Sequence, residues 1–412
     1  MNRRKESLCL YQNTGIPSRD GINGARTKNC LRRTSSNVRI AIIRNYLTGL
    51  APIAVITRTG WSWSPNKRNG DFYTVIRIAV DAMGGDRAPE AIVGGAVEAA
   101  RKAKGRFEIV LVGDADRIKY ELHRRFFVKD LPITVVHASQ QVEMDEAPAQ
   151  ALKKKPDSSI AVMVKLHKEG KADAVVSAGN TGAVLAVSLV FLRPIEGVMR
   201  PAIGALIPYA GGVSLLIDAG SNVDCRPAQL CQFGLMGSIF MNHLFNIEKP
   251  RIGLLNVGEE STKGNETVLE TYRMMEKGYS NFIGNVEGRD IMKGRADVIV
   301  CDGFVGNVLI KFAGSLSKVL SSTLKRKIGG NIAGAVGHFL MKHKFRKLVK
   351  VFDYQEYGGA PLLGIKGNVI IAHGSSTAYA IHNAIEAAYK LISKNVTAHI
   401  QSQIQLVKGA AA

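Results

Sequence analysis

Residues 77–90 read RIAVDAMGGDRAPE, and this stretch decides the fold class. A β-branched run at 78–80 meets Asp81, the glycine pair Gly84-Gly85 and then Asp86 follow, and Pro89-Glu90 opens an amphipathic segment. Strand, polar glycine turn and helix start are the parts of an anion site. Glycine lets backbone N–H groups approach a phosphate, and a helix N-terminus favours negative charge. The spacing is not G-x-G-x-x-G, so no dinucleotide is read from it. The same residues also suit a tight strand-to-helix turn with no ligand, because glycine turns are common in α/β folds.

Outward from this stretch, short apolar runs alternate with helical patterns. Candidate strands fall at 76–80, 107–112, 133–136, 174–176, 203–207, 213–217, 252–255, 298–300 and 369–371, with amphipathic segments such as 89–104 and 158–168 between them. Alternation of this kind predicts an α/β fold with right-handed crossovers, a mainly parallel sheet and helices on its faces.

Six of these runs end in the same polar grammar: Asp81 to Asp86; Ser177-Ala178-Gly179-Asn180-Thr181-Gly182; Asp218-Ala219-Gly220-Ser221-Asn222; Asn256-Val257-Gly258-Glu259-Glu260 with Lys263 just after; Cys301-Asp302-Gly303-Phe304-Val305-Gly306-Asn307; and His373-Gly374-Ser375-Ser376. In open α/β sheets ligands bind beyond the carboxyl ends of the strands. If the runs are neighbours in one sheet, their tips ring a single crevice with Asp, Asn, Glu, His and glycine amides. Any one tip alone is ordinary turn chemistry; the recurrence favours an anion-handling site.

The 412 residues can hold one large α/β domain or two ordinary ones, and with 46% hydrophobic residues a substantial core is available. The net charge of +21 points to an acidic partner: nucleic acid, anionic lipid or an acidic carrier protein. Nucleic acid is the weakest of these, since no aromatic-interleaved basic motif is present. Cys9, Cys30, Cys225, Cys231 and Cys301 form no C-x-x-C pair, which fits a reduced cytosolic protein and neither a disulfide scaffold nor a zinc site. No apolar run approaches the roughly 18 residues a membrane span needs. Residues 1–74 carry thirteen basic and three acidic side chains and no sustained period. They are expected to be a disordered basic extension ahead of one domain at 75–412; a transit peptide and a true start near Val75 are the two accounts of its origin, the second preferred.

The motifs AVDAMGGDRAP (79–89), SAGNTGA (177–183), RPAIGALIP (200–208), GLLNVGEESTKGN (253–265), FIGNVEGRD (282–290), DVIVCDGFVGNVLIK (297–311) and YGGAPLLGIKG (357–367) resemble, in that order, those of the bacterial phosphate acyltransferase family, the acyl-[acyl carrier protein]:phosphate acyltransferases of phospholipid synthesis. The likeness runs from about Val75 to Lys394, and one departure is Ser221, where alanine is expected. It implies a Rossmann-like sandwich related to phosphotransacetylases and to isocitrate dehydrogenase-type enzymes. It also implies a homodimer, no redox cofactor and no required metal.

The implied reaction is attack of inorganic phosphate on a fatty acyl thioester. It needs a phosphate held and aimed, an oxyanion stabilised and a thiol released. Backbone amides at Gly84, Gly85, Gly179, Thr181, Gly182, Gly303, Gly306 and Asn307 are expected to hold phosphate, and Lys263 to supply the cation. Asn180, Asn222, Asn256 and Asn307 are neutral donors suited to an oxyanion, or else turn caps. Asp81, Asp86, Asp218, Glu259, Glu260 and Asp302 are proton handlers or positioning groups; carboxylates repel phosphate, so some should hold Lys263 or backbone instead. His373 can shuttle a proton or be structural. Cys225 and Cys301 read as buried small residues, not nucleophiles. Rival readings are a phosphotransacetylase-type enzyme using short acyl-CoA and a non-catalytic membrane scaffold.

Residues 311–352 contain ten Lys and Arg and no acid. Apolar stripes including Leu316, Val319, Leu320, Leu324 and Ile328, then Val336, Phe339 and Leu340, flank the glycine-containing segment IGGNIAGAVGHFLM. This reads as an amphipathic helical hairpin that forms a dimer bundle and dips reversibly into an anionic membrane surface; the resemblance implies that this surface is on the cytoplasmic side, where a downstream glycerol-phosphate acyltransferase would take the lipophilic product. A plain core hairpin, or a basic surface steering the acidic acyl carrier protein, are the alternatives.

Overall fold

The computed structural model describes residues 75–125, 128–209, 211–328 and 354–411, together with short strands before residue 75. Contacts divide the chain into Met1–Val75 and Ile76–Ala412. In the first unit, Cys30–Arg33, Arg39–Ile42, Ile53–Thr57 and Gly60–Ser64 pair antiparallel in that order, and Lys67–Arg68 pairs with Asp71–Phe72. The rest of the basic extension lies outside the described residues, as do 329–353, which hold most of the expected hairpin.

The second unit is built on an eleven-stranded sheet. The nine anticipated runs are all strands in it: Ile76–Asp81, Phe107–Gly113, Ile133–His137, Ala174–Ser177, Ala202–Tyr209, Gly212–Ile217, Ile252–Leu255, Val298–Val300 and Val369–Ile371. Two more join them, Phe282–Val286 and Ala360–Leu363. Naming each strand by its first residue, the order across the sheet is Phe282, Ile252, Val298, Gly212, Ala202, Ala360, Val369, Ala174, Ile76, Phe107, Ile133.

Alternation along the strands explains the layering. Ile78, Val80, Ile109, Leu111 and Val176 point to one face, where they pack with residues of the helices Glu90–Ala103 and Ala378–Ser393. Ala79, Val110, Val112 and Val175 point to the other, against Ser159–Lys168 and Thr181–Phe191. Strands covered on both faces read as continuous apolar runs, as these do. Phe107, Phe233 and Phe240 are almost wholly enclosed; burying a side chain of that size contributes about 1.5–3 kcal/mol.

The sheet is mainly parallel, but its two halves run opposite ways. Ala202–Tyr209 is antiparallel both to Gly212–Ile217 and to Ala360–Leu363, and Ala360–Leu363 is antiparallel to Val369–Ile371. Three successive reversals leave the block from Gly212 outward pointing against the block from Val369 outward. The strands of each block have their carboxyl ends on opposite edges of the sheet.

Candidate active site

That topology corrects the expectation of one crevice ringed by every tip. Asp81, Gly84, Gly85, Asp86, Gly179, Asn180, Thr181, Gly182 and His373 gather at the edge where the Ile76, Ala174 and Val369 strands end. Asp218, Asn222, Asn256, Glu259, Glu260, Lys263, Asp302, Gly303, Gly306 and Asn307 gather at the other, beyond the Gly212, Ile252 and Val298 strands. The physical reason is the odd number of antiparallel pairings between the two blocks. The sequence pattern carries strand ends but not strand directions.

The first edge is largely satisfied internally. Asp81 is fully buried; it accepts from the Ser177 hydroxyl at 2.7 Å and the Met83 amide at 3.1 Å. Burial raises its pKa, against hydrogen bonds from Ser159, Ser177 and the Met83 and Gly84 amides. A side chain on Gly84 would meet the Asp81 carboxylate and come within 2.6 Å of the Gly179 amide, so glycine is what lets the two loops touch. The Gly179 amide donates to Ser177 Oγ at 3.0 Å. Asn180 caps the helix Thr181–Phe191 by accepting from Ala183 at 3.0 Å, while its Nδ2 donates to the carbonyls of Glu143, Met144 and Glu146. Its side chain is therefore engaged as a cap and loop clamp. His373 Nδ1 accepts from the Ser375 amide at 3.1 Å.

The second edge has a rigid floor. Asp218 is fully buried and accepts from the amides of Ile203, Gly220, Ser221 and Asn222, from the Ser221 hydroxyl at 2.6 Å and from Asn222 Nδ2 at 2.8 Å. All these donors are neutral, and together they fix the 218–222 turn. Asn222 Nδ2 also donates to the Pro201 carbonyl at 2.8 Å. Asn256 closes the next loop on itself: its Nδ2 donates to the Lys263 carbonyl at 2.9 Å, and its Oδ1 accepts from the Val257 amide at 2.8 Å. Asp302 caps the long helix Gly303–Ile328 by accepting from the Val305 amide at 2.9 Å. The expectation that carboxylates hold backbone groups is met by Asp218 and Asp302. Glu259 instead pairs with Arg295 at 2.8 Å and Arg289 at 3.4 Å, and Arg295 first among these holds its pKa below the usual range.

What stays available at this edge is distinctive. Among the described residues, the Lys263 ammonium has no ion pair or hydrogen bond, and Asn307 alone of the four asparagines keeps its side-chain amide unpaired. Asn307 lies beside Gly220, and a side chain there would stand 3.5 Å from its Cβ. The N-terminus of the Gly303–Ile328 helix opens at the same place. Its amides at Gly303, Val305 and Gly306 already donate to the Asn222 carbonyl, the Asp302 carboxylate and the Asp302 carbonyl, so Gly303 and Gly306 are not available to a phosphate as expected. A free cation and a free neutral donor are what this edge offers a small oxyanion.

Four contributors escaped the sequence reading. Ser177 and Ser221 anchor the two buried aspartates, and Ser221, noted only as a departure from the expected alanine, has a hydroxyl that alanine cannot replace. Arg289 and Arg295 hold Glu259; the motif FIGNVEGRD carried the first of them. The thiols fit the reading as non-nucleophiles. Burial first, then Asp218 and Asp302, pushes Cys225 up to about 12, and the same causes hold Cys301 well above its ordinary value. Among the described residues no group of three or more His, Cys, Asp and Glu side chains is placed to hold a metal, and no helix is long and apolar enough to cross a membrane.

Residues 76–399 match the model of a family described as "Fatty acid synthesis protein". A phosphate acyltransferase from Heliobacterium modesticaldum is 48% identical over 329 residues, covering 80% of this chain and 98% of that protein. One from Thermoanaerobacterium thermosaccharolyticum is 45% identical over 332 residues, covering 81% and 98%. Among solved structures, a phosphotransacetylase from Streptococcus pyogenes superposes with a TM-score of 0.51 at 18% identity, over 77% of this chain and 94% of that one; this likeness bears on the fold alone.

Proposed function

The chain belongs to the fatty acid synthesis protein family, and from that membership we propose that it transfers a long-chain fatty acyl group from acyl-[acyl carrier protein] to inorganic phosphate. The product is an acyl phosphate destined for phosphatidic acid and phospholipid synthesis. The observation that carries the reading is the pair of unengaged donors, Lys263 and Asn307, over the floor fixed by Asp218.

Phosphate sits against Lys263 and Asn307, beside the start of the Gly303–Ile328 helix. One of its oxygens attacks the thioester carbonyl carbon. The new O–C bond forms, the C–S bond breaks, and the departing sulfur takes the proton that phosphate gives up. Phosphate is itself the nucleophile, so no covalent enzyme intermediate is needed. Charge grows on the carbonyl oxygen during attack, and an amide donor such as Asn307 is worth most there, where it faces charge that exists only in the transition state. Asn222, Asn256, Asp218 and Asp302 act by holding loops in place. Fixed geometry supplies much of the acceleration in a reaction between two bound partners.

The partner reading follows from charge. An excess of 21 positive charges suits an acidic carrier protein as donor, and its on-rate should fall as salt rises. The basic segment 311–352, mostly outside the described residues, is proposed as the contact with an anionic membrane surface on the cytoplasmic side, in a homodimer that passes its product to a glycerol-phosphate acyltransferase.

The test is an acyl phosphate assay on the purified full chain, with hydroxylamine trapping the product. Long-chain acyl carrier protein should be consumed in a phosphate-dependent way. Lys263→Ala should raise the KM for phosphate by about tenfold or more with unchanged thermal stability, because Lys263 is exposed. Turnover of acetyl-CoA alone, or an unchanged phosphate KM in the variant, would overturn this reading.

A further inference from the structure

The strand directions that separate the polar tips also collect cations along one edge of the sheet. Ala202–Tyr209 and Val369–Ile371 begin, and Ala360–Leu363 ends, at the edge where Gly212–Ile217 ends. The segments entering and leaving those strands carry Arg193, Arg200 and Lys366, and the helix Ser159–Lys168 brings Lys168 to the same edge in its last turn. All four side chains are exposed, and among the described residues none has an ion pair.

Hydrogen bonds make this strip continuous with the proposed reaction centre. Asn222 Nδ2 donates to the carbonyl of Pro201, next to Arg200. The Ile195 amide donates to the Gly364 carbonyl at 3.0 Å, and the Lys366 amide to the Arg193 carbonyl at 2.9 Å. The Asn368 amide donates to His167 Nε2 at 3.0 Å, beside Lys168. Lys168 and Lys165 stand over the ring of Phe191 at 5.5 and 5.7 Å, two residues before Arg193. At about 4.8 Å per strand, the strip runs from about 14 to about 24 Å from the strand Ile252–Leu255, whose loop carries Lys263.

The two edges differ in charge. Glu196 is the one acid in 193–200, and Glu169, next to Lys168, is paired with Lys171 at 2.7 Å. The opposite edge presents exposed carboxylates: Asp86 lies beside Gly374, and Glu143 and Asp145 flank Met144 in the loop that Asn180 clamps.

We infer that Arg193, Arg200, Lys366 and Lys168 form the docking strip for the acidic protein that carries the acyl group, separate from the basic segment 311–352. The inference rests on the acyl-transfer reading above and deepens it by placing the protein part of the donor. Unpaired guanidinium groups suit carboxylates, which they can hold by two oxygens at once. An acidic protein is drawn to this edge and repelled from the other, so it arrives with its thioester on the side of Lys263. A flat bilayer fits the strip poorly. Neighbouring strands turn by about 20–25°, so cations spread over several strands do not share one plane. Met199 is the one exposed large apolar side chain in 193–200, too little to insert into lipid.

The experiment compares the native full chain with Arg200→Glu/Lys366→Glu on three probes: acyl carrier protein, a small palmitoyl thioester without a protein part, and phosphatidylglycerol vesicles. At low salt the Kd for the carrier protein should rise about tenfold, and kcat/KM for its palmitoyl form should fall by a similar factor. Added salt should shrink the difference between the two chains. Turnover of the small thioester, the KM for phosphate and the thermal midpoint should stay unchanged. Arg200→Gln/Lys366→Gln should show the same pattern more weakly, without introducing new carboxylates. Unchanged carrier binding, or an equal loss of turnover with the small thioester, would overturn the strip. Loss of vesicle binding with carrier binding intact would also overturn it, since the strip would then face lipid. Carrier binding lost in the variant of a protein whose native form has no phosphate-dependent turnover would sustain the strip and reject the catalytic reading.

Discussion

The amide of Gly303 donates to the carbonyl of Asn222 at 2.7 Å. This bond joins the tips of two adjacent strands and seats the long helix on the turn held by Asp218. One helical turn on, Gly306 faces the Asp218 carbonyl so closely that a side-chain carbon there would collide with it.

Gly306→Ala is therefore expected to push the helix start off its seat. Overpacking of this kind costs about 1–3 kcal/mol, and the displaced Asn307 should cost turnover beyond the loss of stability. Gly314→Ala, in the same helix with nothing within 4 Å of the added carbon, is the control. It should be neutral, or more stable by up to about 1 kcal/mol from helix propensity. Urea denaturation of both variants checks the contrast, and equal stabilities would refute the steric account.

Asp81 makes a second expectation, about pH. Burial raises its pKa, so the native state keeps its proton at pH values where the unfolded chain has lost it. Between the unfolded value near 3.8 and the raised folded value, the native state binds more protons, and stability falls as pH rises. The stability is fully present below the unfolded pKa and is lost as pH climbs through the folded one. Asp81→Asn keeps a neutral group of the same shape and cannot ionise. Its urea midpoint should fall less than the native midpoint over that rise in pH. Parallel profiles for the two proteins would show that Asp81 does not titrate as its burial requires.

Much of the fold was legible because strands buried on both faces write themselves as apolar runs. Ile76–Asp81 and Val298–Val300 are read from composition alone. The two strands missed share a physical cause. Phe282–Val286 carries Gly284 and Asn285, and Ala360–Leu363 carries Pro361 and has only four residues; such residues mark turns more often than strands. Missing Ala360–Leu363 mattered most. It lies between the two parallel blocks and completes the reversal that sends Asn180 and Asn256 to opposite edges. The polar tips were legible as residues, yet which tips face each other depends on pairing partners far apart in sequence. Local pattern does not encode that. Asn222 and Asn180 show the same limit in miniature: both were named as donors, and only the neighbours Pro201, Asp218 and Glu143 reveal that their amides are taken.

His243 and His399 provide the last expectation. Their rings stack at 3.7 Å between centroids and 7° between planes, joining the helix Pro227–Phe245 to the C-terminal helix Val396–Ala411. Burial first, then the charges of His399 and Lys394, lowers the pKa of His243. A lowered folded value means that the native state resists a proton which the unfolded chain accepts near 6.5. The stack's contribution is present above that unfolded value and is lost as pH falls through the folded one. Two stacked imidazoles cannot both charge without repulsion, and Lys394 adds a third positive charge nearby. Amide exchange in Val396–Ala411 should thus lose protection, after correction for intrinsic rates, between about pH 7.5 and 5.5. His243→Phe keeps an aromatic face against His399 and removes the group whose pKa is lowered, so most of that pH step should vanish while protection at neutral pH is retained. A native C-terminal helix equally protected at both ends of the range would mean that the stacked pair does not couple protonation to its docking.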